Sequence, residues 1–95
     1  MTLHHSTITV GTTPTLLATI PAKSDPVALL IFNNDNSAIF IGDSSITTSG
    51  ANQGLQVSKS TTSSQVWLHA GDSLYGISVA GTSANAVAIL YSSAF

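Results

Sequence analysis

Cysteine is absent from this chain, and so are arginine and glutamate. Without thiols there is no disulfide staple and no thiolate metal site, so a small fold has to be held by packing and hydrogen bonds. Lys23, Lys59, Asp25, Asp35, Asp43 and Asp72 are the whole charge inventory, 6% of 95 residues with a net charge of −2. An ordinary soluble domain carries about 25%. Two lysines cannot displace the counterions of a phosphate backbone, which excludes nucleic acid as a partner. A polybasic membrane anchor is excluded on the same ground. Long hydrophobic runs are missing too. The longest, Val27 to Phe32, is far short of the roughly 18–20 residues that span a bilayer. Met1 to Ser6 has no basic segment and no apolar stretch, so it does not read as a signal peptide.

What takes the place of charge is hydroxyl. Serine and threonine together number 27. Hydrophobic residues make up 43%, too many for a chain kept expanded by polarity and charge. One small domain over residues 1–95 is the expected organisation. Its surface is polar but nearly uncharged, and copies of it repel one another weakly. Such an exterior points to a protein largely covered by partners.

Helical periodicity is nowhere sustained. Runs rich in Val, Ile, Thr and aromatics alternate with Gly, Asn, Asp and Ser clusters about every ten residues, the pattern of an all-β sandwich or barrel. Strands are predicted over 7–10, 15–20, 27–32, 38–41, 55–57, 65–69, 74–79 and 86–91. Seven or eight antiparallel strands suffice for a β-sandwich of jelly-roll or immunoglobulin-like type. Val27 to Phe32 has apolar residues at both parities, which predicts burial on both faces. Asn33 to Asn36 predicts a tight turn, with 38–41 returning as the hairpin partner of 27–32. Gly42 to Gly54 reads as a polar surface excursion. Gly42-Asp43-Ser44 and Gly71-Asp72-Ser73 echo one another, most simply as two similar turns.

Several residues invite a chemical reading. Gly71-Asp72-Ser73-Leu74 spells the motif of a hydrolase family. That family's serine lies between a strand and a helix and needs a downstream Asp and His, and neither residue occurs after Ser73. A plain turn and no enzyme is the expectation. His4 and His5 would point to opposite faces of a strand and cannot chelate one ion together. Oxygen ligands for calcium from Asn33 to Asn36 with Asp43 are the alternative to a turn, but the spacing is unlike a calcium loop. No catalytic residue, metal or cofactor is expected. Trp67 near Gln65 is the one candidate platform for a sugar, against the commoner role of aromatics in core or interface.

The run Leu29 to Gly50, Leu-Leu-Ile-Phe-Asn-Asn-Asp-Asn-Ser-Ala-Ile-Phe-Ile-Gly-Asp-Ser-Ser-Ile-Thr-Thr-Ser-Gly, resembles a recurrent pattern in small virion proteins of tailed bacteriophages. A strand ends in Asn, a polar turn follows, and a second strand ends in Ile-Gly before a Thr-rich segment. Ile8 to Thr13 and Ala70 to Ile77 fit the same habit, so the resemblance covers about residues 6–91. Many members carry an arginine-rich strand where this chain has Val27-Ala28-Leu29-Leu30. The resemblance implies a capsid decoration, minor capsid or head-fibre protein, made in the host cytoplasm and carried on the virion, with the major capsid protein as partner.

The apolar residues at both parities of 27–32, 39–41 and 86–91 exceed what one thin sandwich can bury. A subset is therefore expected to form a homo-oligomer interface, with a trimer favoured. Val27, Phe40, Trp67 and Tyr91 are the contact candidates. Ser44, Thr47, Thr48, Asn52 and Gln53, on the 44–53 loop, are the candidates for reaching a neighbouring capsid subunit. The alternative function is a tail- or fibre-associated module that binds host surface glycans.

Overall fold

A computed structural model describes residues 2–63 and 65–93. Among them, nine strands run in chain order: β1 (Thr2–Ile8), β2 (Thr15–Thr19), β3 (Val27–Asn33), β4 (Ile39–Gly42), β5 (Leu55–Val57), β6 (Thr61–Thr62), β7 (Val66–Leu68), β8 (Ser73–Ile77) and β9 (Val87–Ser93). No helix forms in the described residues, so none is long and apolar enough to cross a membrane. Every strand pairing is antiparallel. The first sheet has the order β1-β9-β3, and the free edge of β3 is shared by β7 at its start and β6 at its end. The second has the order β2-β8-β4-β5. The all-β sandwich expected from the turn spacing is the fold observed.

One core fills the space between the sheets. Val27, Leu29 and Ile31 of β3 and Val87 and Ile89 of β9 meet Leu17 and Ala18 of β2, Leu74 of β8, and Ile39 and Ile41 of β4. Alternation follows from the strand period of two, which sends every other side chain inward. A register shift between Leu16 and Ala18 breaks that rule in β2. It turns both Leu17 and Ala18 inward and leaves Leu16 exposed, as a bulge does when an extra residue enters one strand.

Three expectations need correction. The strands flanking Asn33 to Asn36 are not hairpin partners: β3 belongs to the first sheet and β4 to the second. Both strands carry inward apolar residues to the same core from opposite sides, so the chain arches between sheets. Side chains hold the arch. Asn33, fully buried, donates its amide to the carbonyls of Ser37 (2.9 Å), Val57 (3.1 Å) and Ser58 (3.3 Å), and its Oδ1 accepts from the Asp35 N–H (3.0 Å). Asp35 accepts from the N–H groups of Ser83 (2.9 Å) and Ser37 (3.1 Å). These bonds, with Ser83 first, hold its carboxyl below the ordinary aspartate range.

The second correction concerns β3, which is buried on one face only: Leu30 is exposed, and Ala28 and Phe32 are half-buried. The third concerns the N-terminal strand. It starts at Thr2 and ends at Ile8 because β9, continuing to Ser93, offers it seven paired residues. Val10 is fully buried just beyond the strand and is latched to Thr82 by two hydrogen bonds, Val10 N–H to Thr82 Oγ1 (2.9 Å) and Thr82 N–H to the Val10 carbonyl (2.8 Å).

Candidate functional site

All six charged residues lie between strands and none lies within one. The faces of both sheets are therefore uncharged, and what distinguishes them is whether they are covered. On the second sheet, Phe40 and Ile77 are cross-strand neighbours that point away from the core. Ile46, from the segment between β4 and β5, buries itself against them, and half-buried Tyr75 completes the cluster. The polar excursion is thus a lid with an apolar anchor.

Its backbone is ordered by its own bonds. Thr47 and Gln53 form a parallel bridge, the Thr47 N–H donates to the Asn52 carbonyl (3.0 Å), and the Gly54 N–H donates to the Thr47 carbonyl (3.1 Å). Asp43 Oδ1 accepts from both the N–H (2.9 Å) and the hydroxyl (2.8 Å) of Ser45. Those bonds, the hydroxyl first, lower the Asp43 pKa. Glycine allows close approach at both ends of the lid. A Cβ on Gly42 would collide with Ile46, and one on Gly54 would lie 2.7 Å from the Ile41 carbonyl oxygen.

The outer face of the first sheet has no such cover among the described residues. Register places Leu30 opposite Leu90 and Leu90 opposite His5; Phe32 and Thr7 flank Ala88; Trp67 lies opposite Ala28 and Leu3 opposite Ser92. These are the residues that alternate with the buried ones. Leu3 (67%), Trp67 (57%), Leu90 (42%) and Leu30 (39%) remain exposed. The result is a face without Asp or Lys that crosses β1, β9, β3 and β7, with Leu90, Leu30, Ala88 and Phe32 as its apolar centre and His5, Thr7 and Ser92 interspersed toward β1.

The residues named from sequence divide accordingly. Val27 lies in the core and Phe40 in the cluster under the lid. Neither presents surface to a partner, because apolar strand residues are claimed first by the chain's own sheets. Trp67 is exposed on the bare face. Tyr91 is half-buried against the core and stacks on His4, with ring centroids 4.8 Å apart. Ser44, Thr47, Asn52 and Gln53 are exposed on the lid and Thr48 is half-buried there, so the structure does bring these five together. Leu3, Leu30, Leu90 and His5 were missed. The apolar residues at even positions in 27–32 and 87–93 were the available signal.

Chemistry-bearing residues serve the turns. Ser73 opens β8, with its hydroxyl 3.1 Å from that of Thr19. In the 69–72 turn, Asp72 Oδ2 accepts from the His69 N–H at 2.8 Å and lies 3.8 Å from its Nδ1. The echoed tripeptides therefore make different turns. Asp43 bonds forward to Ser45, whereas Asp72 bonds back to His69. No group of three or more His, Cys, Asp or Glu that could hold a metal occurs among the described residues. A groove of about 320 Å³ separates β5 from the β6–β7 edge, lined by Gln56, Thr61, Thr62, Gln65, Leu55 and Val66 among others. Trp67 does not line it, since its side chain stands on the outer face. No family model matches the chain, and searches of curated proteins and of solved structures return no match.

Proposed function

We propose that this protein is a structural component of a bacteriophage virion, a decoration or minor capsid protein that binds the head surface as a homo-oligomer. The observation that carries the reading is the uncharged apolar face of the first sheet. Contiguous exposed apolar surface marks an interaction site in a soluble domain. Docking by shape needs no steering charge, and this chain has almost none to offer. The ordered hydroxyl-rich lid, with Ser44, Thr47, Thr48, Asn52 and Gln53, is the surface assigned to the major capsid protein. The resemblance of residues 6–91 to small virion proteins supports the same reading. A trimer is the oligomer expected from the surplus of apolar residues in 27–32, 39–41 and 86–91.

The exposed ring of Trp67 favours one second reading, a tail- or fibre-associated domain that stacks on host surface glycans. Two measurements separate them. Purified protein added to phage heads lacking it is expected to co-sediment with the heads, and a glycan array is expected to stay blank. Glycan binding without head binding would replace the first reading by the second.

A further inference from the structure

The outer face of the first sheet presents itself as the contact surface for a second copy of this chain. We infer that two copies stack these faces against each other about a twofold axis, with Leu30 and Leu90 at the centre and Leu3 and Trp67 toward the margins. This deepens the oligomer part of the proposed function and rests on it. It also gives the axis a different order from the threefold one expected from the apolar surplus, because a face that meets the same face on a second copy is isologous and pairs about a twofold.

Three observations identify the occupant. First, the face contains no Asp or Lys, since every charged residue sits between strands. A face without charge meets its own copy without like-charge repulsion, and it offers no charge pattern that would select a different protein. Second, the size fits a weak, reversible contact. Strands about 4.8 Å apart and about 3.4 Å per residue give about 390 Å² in plan for the seven residues each of β1, β9 and β3 with the three of β7. Two such faces cover about 800 Å² in plan, below the roughly 1,200 Å² of standard interfaces and in the range of transient association. Third, the exposed residues are the alternating set of a regular antiparallel sheet, with Leu30 directly opposite Leu90. Such a surface interdigitates with a like one about 10 Å away, as sheets do in a sandwich.

Sedimentation velocity on the purified full chain, from about 1 to 300 μM, tests the inference together with the emission of Trp67, the chain's single tryptophan. The expected result is a concentration-dependent monomer–dimer equilibrium, with tryptophan emission moving to shorter wavelength as dimer forms. Leu90→Lys is expected to weaken association by about 100-fold or more. Leu30→Ser, a milder change on the same face, should weaken it less. Leu55→Lys, at an exposed position of the other sheet, should leave it unchanged. Circular dichroism checks that each variant keeps its strands.

A chain that stays monomeric at 300 μM, or that dimerises with no change in tryptophan emission, overturns the inference, as does dissociation by Leu55→Lys but not by Leu90→Lys. None of these results bears on binding to phage heads, which co-sedimentation measures separately. A failed self-contact and a failed virion assignment are thus told apart.

Discussion

The two outer faces of this sandwich are made alike and finished differently. Each follows from the same period-two alternation, and each presents apolar side chains away from the core. On the second sheet the chain returns after β4, seats Ile46 on Phe40 and Ile77, and covers that part of the face with hydroxyls, leaving Leu16 exposed beyond the lid. On the first sheet Leu3, Leu30, Leu90 and Trp67 stay open to solvent. The lid carries one buried hydrophobic residue among polar ones, so a face is covered with a single anchor and two close-approach glycines. The first sheet's outer face, where Leu3, Leu30, Leu90 and Trp67 share one side, is then the surface left for association, because burying it is favourable.

Four substitutions or conditions test how far this contrast extends. Removing the covered cluster should cost most. Phe40→Ala is expected to lower unfolding stability by about 3–4 kcal/mol in urea titrations, through lost transfer energy and the cavity left under the lid. A loss below about 1 kcal/mol would mean that the lid does not bury that ring in solution. Gly54→Ala comes next. Its Cβ meets the Ile41 backbone, and backbone cannot swing away as a side chain can. A loss of about 1–3 kcal/mol is expected, with faster amide exchange over 46–54 than in the wild type.

A smaller effect is set by pH. The Asp35 carboxyl is held below its ordinary value by the Ser83 and Ser37 N–H groups. Its stabilisation is complete above the unfolded aspartate pKa and is lost as pH falls through the folded value. Unfolding stability should therefore drop below about pH 4, and Asp35→Asn should flatten that dependence, as urea titrations at pH 5 and pH 2.5 would reveal. The smallest effect is expected on the bare face. Leu30→Ser should change the stability of the monomer by no more than about 0.5 kcal/mol, measured at low micromolar concentration where association is absent. A large loss there would show that Leu30 is already covered within one chain.

Much of the fold was legible from local chemistry. Gly, Asn, Asp and Pro clusters punctuate the chain where strands end, and β-branched runs fill the intervals, because both preferences act within a few residues. Strand partnership was not legible in that way. The β3–β4 segment has the composition of a hairpin, yet β3 pairs with β9, β7 and β6. What separates a hairpin from an arch is whether both strands point their apolar residues to one core from opposite sides, and that depends on residues more than fifty positions away. The candidate site was legible in part. The lid residues and Trp67 stand at the surface, where polar loop residues and an outward strand position place them, whereas Val27 and Phe40 are buried.

The sequence by itself determined an all-β chain, a nearly uncharged surface, and more apolar strand residues than one core accommodates, since composition and periodicity are local and additive. Only the tertiary structure decided which of those apolar residues the molecule covers. Ile46 lies six positions beyond Phe40 in sequence, but it covers Phe40 because β8 sets Ile77 beside it and the lid folds back over both. Leu30 and Leu90 face outward together because β9 crosses the chain to pair with β3. Burial is a property of the assembled sheets, so an exposed face is defined only once every strand has found its neighbour.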